Sequence, residues 1–400
     1  MNTNNNILRL NVGDGSTPTL AESEYEEEEK YNEKVGLRLR LKHFTWAWFL
    51  SSMGTGGLSI AIGVTPHRFN GLYYIGLVIF LLDIALFSVL CACTITRAIL
   101  YPTHFKRSFT HPQESFFFGA FWLSISVIIS NIQVYGVTQG PAYPWLIDTI
   151  YVLYWMYAAC SLVNSVFQYW VLIQWSIVRP IPYLPSIFLA GYSAMLTGTI
   201  ASLIAGSQPP HRAVAIIVSG CAYQGFGWLK SCVAIVGYIR NILDQGLPAP
   251  SKRPAMFIPV GACAFTTVAL MGQAKAIPSY GYFAEHPSAA EMLQVLTLFI
   301  GIFLWIFAFW LFCLAVLGNI SVVGKMPFSL AWWAFVFPNV GFMAATSMIA
   351  KELGSEAIKW VASVMTIILV AMWLMVTVAC IRAVWQKKIA WPGQDEDKDR

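Results

Sequence analysis

Ten stretches of mostly apolar residues, at 44–64, 72–97, 113–137, 145–173, 183–206, 211–241, 256–275, 289–318, 330–350 and 357–384, fill this chain almost from end to end. Each has the roughly 20 residues that a helix needs to cross about 30 Å of hydrocarbon. Inside lipid every backbone polar group must be satisfied within the segment, so helices are what such stretches form. Composition agrees, because 57% hydrophobic and 11% charged residues leave too little charge to clothe a water-soluble globule of 400 residues. The expected fold class is an all-α membrane protein of ten transmembrane helices. The net charge of +5 is unevenly placed; it bears on orientation and gives no reason to invoke nucleic acid.

Odd and even segments are built differently. The first carries Ser51, Ser52, Gly54, Thr55, Gly56, Gly57 and Ser59, and the fifth Pro185, Gly191, Thr197, Gly198 and Thr199. The seventh has Pro259, Gly261, Thr266 and Thr267, and the ninth Pro338, Asn339, Gly341, Thr346 and Ser347. The third lacks an internal proline but offers Ser124, Ser126, Ser130 and Asn131. Broken or small-residue backbone survives in a membrane only where protein or a water-filled cavity receives it. The odd segments therefore read as the inner set, lining a central pore, and greasy even segments, such as 296–312 of the eighth, read as outer helices. Short connectors between segments three and four, five and six, and nine and ten imply hairpins. Five hairpins would give five inner helices around the pore. The fourth segment resists this division, since Tyr157, Ser161, Asn164, Ser165 and Gln168 make a polar stripe that could face a neighbouring helix or a subunit contact.

Most loop lysines and arginines (Lys106, Arg107, Arg179, Lys252, Arg253, Lys325, Lys387, Lys388) fall on one side, against Arg68, Arg212, Lys275, Lys351 and Lys359 on the other, so both termini are expected in the cytosol. Residues 1–42 run from an Asn-rich stretch through an acidic run at Glu22–Glu29 to Arg38, Arg40 and Lys42, and read as a disordered cytosolic arm. No signal-peptide pattern precedes the first apolar segment, which must then act as the targeting signal itself. The transport domain is expected over 43–386 and a cytosolic tail over 387–400. Cys91, Cys93, Cys160, Cys221, Cys232, Cys263, Cys313 and Cys380 all lie in apolar segments, and read as small buried hydrophobes rather than metal ligands or disulfides.

Three strings are specific: HFTWAWFLSSMGTGGLSIAI from His43, HPQESFFFGAFWLSI from His111 and LAWWAFVFPNVGFMAATS from Leu330. With the ten spans, they resemble the tellurite-resistance/dicarboxylate transporter family of the slow-type anion channel superfamily, and most closely its fungal malic acid (C4-dicarboxylate) branch. The resemblance covers nearly all of residues 43–386. It implies a homotrimer in the plasma membrane whose protomers each have a pore blocked near mid-membrane by a phenylalanine from the ninth segment, and Phe337 is the position that matches. It also implies transport of malate and related small dicarboxylate anions, without an enzymatic step or cofactor. Sulfite efflux or small-anion conduction is the alternative within the same family. An intramembrane enzyme would need paired acidic or His-rich motifs, and none of H-x-x-x-H, D-x-x-x-D and H-E-x-x-H falls within an apolar segment.

Phe337 suits a gate physically: a phenyl ring across a narrow lumen excludes water, and Pro338 frees a backbone carbonyl and lets the helix bend. Gly54, Gly56 and Gly57 either widen the pore and expose amide groups or pack helices closely. Ser51, Ser52, Thr55, Ser124, Asn131, Thr197, Thr266 and Asn339 are candidate pore-lining polar groups. At the start of the third segment, Thr110, Pro112, Gln113 and Glu114 describe a helix start with a capping box, while His111 and Glu114 are candidates to hold a carboxylate or proton. Asp83 and Lys230 are charges within the membrane, expected to form a structural pair or to snorkel rather than touch substrate. Lys275, Glu291, Asp148 and Lys351 read as interfacial, and Trp46, Trp48, Trp332 and Trp333 as interface anchors. With no evident cationic ring on the inner segments, hydroxyls, amides and helix ends must hold the anion. Because ion desolvation grows with the square of charge, the singly protonated dicarboxylate is the expected permeant form, and proton coupling stays open.

Overall fold

The computed structural model describes residues 36–392 apart from 180 and 182. Its ten long helices are α1 (Phe49–Val64), α2 (Leu72–Leu100), α3 (Phe118–Asn131), α4 (Pro144–Trp175), α5 (Ile187–Ile204), α6 (Pro210–Gln245), α7 (Ile258–Lys275), α8 (Ser288–Ile320), α9 (Phe337–Glu352) and α10 (Glu356–Trp385). Among the described residues, nine of these regions are long and apolar enough to span a membrane. The exception is α6, whose 36 residues are ample in length but include His211, Arg212, Lys230 and Arg240.

The odd helices close a ring in which each packs on the next, α1 on α3, α3 on α5, α5 on α7, α7 on α9 and α9 back on α1. Residues paired across the ring rise in number together, as in Ser124 to Phe49, Asn131 to Gly56, Tyr135 to Ser59 and Gln139 to Gly63, so neighbouring helices run parallel. Odd regions bury 67–94% of their residues, against 22–28% for those of α2, α4, α8 and α10. Hydrocarbon supplies no hydrophobic drive between helices, so such a ring is held by close packing and hydrogen bonds. Glycine permits the approach at α3 and α5, where a Cβ on Gly119 would strike the Leu189 carbonyl.

Four of the five inner helices start late. Trp46–Trp48, Pro250–Phe257 and Leu330–Phe335 are tight 3-10 turns leading into α1, α7 and α9, and a separate four-residue helix, Pro112–Ser115, precedes α3. Prolines within the first helical turn, Pro259 and Pro338, cannot donate to a preceding turn and so set these breaks. At the other end of α3 the chain widens into a π-helical turn over Ile132–Thr138. It aims Tyr135 Oη at the Ser59 carbonyl (2.6 Å).

Several expectations need correction. Trp46 is buried among Phe49, Phe105, Phe109, Phe118 and Phe121 and donates to Ser108, while Trp333 is buried against Gly54, so neither is an interface anchor. The cysteines make no disulfide among the described residues, but Cys160 and Cys221 are exposed on outer helices and only Cys263 and Cys380 are buried. The stripe on α4 faces inward onto α5: Tyr157 donates to the Ser193 carbonyl (2.7 Å), Ser161 meets Thr197 (3.1 Å), and Asn164 donates to Ser193 Oγ (3.2 Å). That resolves the ambiguity in favour of an intramolecular contact. Asp83 and Lys230 form no pair. Asp83 is fully buried and accepts from Ser52 Oγ (2.7 Å), whereas the Lys230 ammonium lies 4.4 Å and 4.9 Å from the ring centroids of Tyr169 and Phe226. The capping box is also absent, since Thr110 Oγ1 donates back to the Arg107 carbonyl (3.1 Å) and His111 occupies the cap position. The proposed arm (1–42) and tail (387–400) lie largely outside the described residues. What is described of them meets on one face, where Arg40 Nε donates to the Ala390 carbonyl (2.9 Å).

Candidate substrate pore

All five inner helices contribute to one cavity of 440 Å³ enclosed by the ring. That volume lies in the range of small-ligand sites. Along α9 it runs from Phe337 to Glu352, about 22 Å at 1.5 Å per residue. Its inner end is closed by two phenylalanines, Phe337 of α9 and Phe265 of α7, stacked with centroids 5.0 Å apart and planes at 28°. Each ring rests on a glycine of the neighbouring helix. A Cβ on Gly57 would come within 2.8 Å of Phe337, and one on Gly341 within 2.8 Å of Phe265. The pair is therefore seated by close packing across three helices of the ring.

Above the rings the wall carries hydroxyls from Ser126, Ser130, Thr138, Thr199, Ser202 and Ser347. Ser126, Ser130 and Ser202 donate to carbonyls of their own helices at 2.7–2.8 Å, whereas Thr199 Oγ1 is buried without a hydrogen-bond partner. The mouth, formed by the C-terminal ends of α7 and α9, carries Lys275, Lys351 and Glu352. Lys275 Nζ donates to Glu352 Oε1 at 2.7 Å, and Lys351 Nζ reaches the Val64 carbonyl at 3.4 Å. Cations near helix C-termini oppose the negative end of the helix dipole. On the opposite face, which carries the described chain ends, a larger recess of 1190 Å³ is lined in part by Gln113, Ser186, Lys252, Leu330, Arg382 and Lys388.

Of the residues proposed from the sequence as gate, pore-lining or carboxylate-holding groups, Phe337 alone lines the cavity, with Gly57 behind it. The others sit in helix contacts. Ser51 donates to the Trp48 carbonyl, Ser52 to Asp83, and Thr55 to the Ser51 carbonyl while accepting from Trp373 Nε1. Gly54 lies under Trp333, and Gly56 against Asp83 and Val127. Ser124 and Asn131 donate to the Phe49 and Gly56 carbonyls, Thr197 meets Ser161, Thr266 accepts from Gln224 Nε2, and Asn339 donates to the Phe335 carbonyl. His111 is buried at its helix start. Glu114 forms a buried ion pair with Arg97 at 2.6 Å, tying α2 to the approach to α3.

These candidates are on the right helices but on other faces. Thr199 is two residues beyond Thr197 and Ser126 two beyond Ser124, a rotation of about 200° at 3.6 residues per turn. The i, i+4 spacing of Ser126 and Ser130 marks a common face and was the available signal. Phe265, one residue before the noted Thr266, carried no signal of its own among many phenylalanines. Lys275 and Lys351 were read as interfacial; the structure places both on the cavity wall.

Comparison with known proteins finds relatives among membrane transport proteins. The family profile described as voltage-dependent anion channel matches residues 43–381. A malic acid transport protein of Schizosaccharomyces pombe is 34% identical over 372 residues, covering 91% of this chain and 83% of that protein. A putative malic acid transport protein of the same yeast is 30% identical, covering 93% and 89%. A sulfite efflux pump of Arthroderma otae is 28% identical, covering 84% and 90%.

Proposed function

Since the chain belongs to the voltage-dependent anion channel family, we propose that it carries malate and related C4-dicarboxylates across the plasma membrane through the cavity within its inner ring. The observation that carries this reading is a hydroxyl-lined cavity, walled by all five inner helices, that ends on Phe265 and Phe337. The substrate class comes from similarity to the two malic acid transport proteins, which exceeds that to the sulfite efflux pump.

In this reading α6 crosses the bilayer as the tenth span, the chain ends face the cytosol, and the mouth at Lys275 and Lys351 faces outward. The protein acts as a homotrimer with one pore per protomer. Hydroxyls that donate to their own helix when the cavity is empty rotate to donate to a carboxylate. Phe265 and Phe337 exclude water until they are displaced, so a ring has to leave its glycine seat for an anion to pass. Beyond the mouth, no ionised side chain among the described residues lines the cavity. An ion bearing one charge crosses that stretch at lower desolvation cost than one bearing two, which favours the singly protonated dicarboxylate.

The test is uptake of labelled malate into liposomes holding the purified protein. The expected result is saturable uptake, competed by succinate and fumarate more strongly than by nitrate, chloride or sulfite. Phe337→Ala is expected to raise flux several-fold and Phe265→Ala to raise it less. Preferential sulfite or nitrate flux would instead support a small-anion conduit. At a fixed monoanion concentration, flux that tracks the dianion as pH is varied would exclude the singly protonated form.

A further inference from the structure

We propose that Lys275, Lys351 and Glu352 form an anion site at the mouth of the cavity, which takes one carboxylate of the substrate and in which Glu352 stands in for that carboxylate while the site is empty. The inference rests on the transport reading above and assigns to it the place where substrate is first held.

Three observations converge on this mouth. All three side chains line the same cavity as the hydroxyls and the two phenylalanines, so an anion bound there sits at the entrance to the enclosure. The Lys275–Glu352 pair spans two neighbouring inner helices at 2.7 Å, with side-chain exposures of 65% and 33%. An ion pair so open to solvent contributes only about 0–1 kcal/mol, so a substrate carboxylate can replace Glu352 on Lys275 at little cost. Lys351 is the more telling group. Among the described residues its only hydrogen bond is the 3.4 Å reach to the Val64 carbonyl, and Arg68, Lys275 and Lys359 all repel it. A cation held among cations, with one weak acceptor, gains from an arriving anion.

The ionised groups that line the cavity are two ammoniums and one carboxylate, a net charge of +1. That charge matches a monoanion. Deeper in the wall, Thr199 Oγ1, buried and without a hydrogen-bond partner among the described residues, offers a donor to an anion moving inward from the mouth. The dipoles of α7 and α9 point their negative ends at this mouth, so without the lysines it would repel anions. A merely structural role for Lys275 and Lys351, as cations at helix C-termini, would affect stability and leave substrate affinity alone. The two roles are therefore separable.

The experiment is substrate-dependent uptake by the full chain in liposomes, with labelled malate and, in parallel, labelled sulfite. Lys351→Gln is expected to raise KM about tenfold, the size of one lost charge-assisted hydrogen bond, with maximal rate little changed, and Lys351→Arg to restore KM. Lys275→Gln is expected to raise KM by a smaller factor. Glu352→Gln is expected to lower KM severalfold and to make a dianion a stronger competitor. Unchanged KM in Lys351→Gln and Lys275→Gln, with melting temperature lowered, would overturn the site and leave the lysines as helix caps. A wild type that carries sulfite and not malate would overturn the substrate reading alone, because the same variants then judge the mouth by the KM for sulfite.

Discussion

Inner helices of this protein are 14–18 residues long and outer ones 29–36. By rise per residue the first group spans about 21–27 Å and the second about 43–54 Å, so only the outer set is long enough to cross a bilayer as uninterrupted α-helix. The inner set completes its path with 3-10 turns, a proline break and a π-helical turn, where backbone groups need partners from side chains. Some are present: Tyr73 donates to the Tyr135 carbonyl in the π-helical turn and Asn319 to the Arg253 carbonyl in a 3-10 turn, while Asn131, Tyr135 and Gln273 tie inner helices together through carbonyls of α1 and α5. Irregular backbone is therefore gathered in the protected ring, and the outer helices contribute a few polar groups to it. Shape inside and solubility in lipid outside are divided between alternating segments of one chain.

Substitutions can break or sharpen that contrast. The largest effect is expected where inner and outer sets are tied by a buried charge pair. Glu114→Ala leaves Arg97 ionised and enclosed, which should cost about 3–5 kcal/mol and show as a large loss of stability in detergent unfolding. The double change Arg97→Met with Glu114→Leu should recover most of it, and a single variant as stable as wild type would remove the pair from the account. Next comes the contact between α3 and α5. Gly119→Ala places a methyl group on the Leu189 carbonyl and is expected to cost about 1–3 kcal/mol through overpacking, read as a lower melting temperature.

A smaller change tests the α4 stripe. Tyr157→Phe deletes the hydrogen bond to the Ser193 carbonyl and should cost about 1 kcal/mol, whereas Leu162→Ala on the exposed face of the same helix should stay within about 0.5 kcal/mol. Equal effects from the two would mean that α4 does not discriminate its faces. The smallest expected effect has the opposite sign. A Cβ on Gly225 of α6 meets nothing within 4 Å, so Gly225→Ala should stabilise by about 0.5–1 kcal/mol through helix propensity. Destabilisation there would reveal a partner packed on that face.

How far the sequence could be read varies with the physics involved. Inner and outer identity was legible because lipid penalises unsatisfied backbone, so prolines, glycines and hydroxyls collect in the odd segments. Phe337 was legible through its neighbour Pro338 and the family strings. The polar face of the pore was not, because small residues occur all round the inner helices. In α5 both Thr197 and Thr199 are hydroxyl-bearing, and only packing decides that one meets Ser161 while the other faces the cavity. Asp83 shows the same limit. Its helix is outer, yet rotation turns its carboxylate inward to Ser52.

Length, hydropathy and the placing of prolines, glycines and hydroxyls were enough to specify an all-helical membrane protein with alternating inner and outer segments, since the bilayer imposes one rule on every stretch that crosses it. Tertiary structure decided which hydroxyls face the cavity, that Phe265 joins Phe337 in closing it, and that Lys275, Lys351 and Glu352 share its mouth. Those outcomes depend on helix rotation and on contacts between residues far apart in the chain. Small-residue interfaces permit several rotations, and the packing of all five inner helices together selects one.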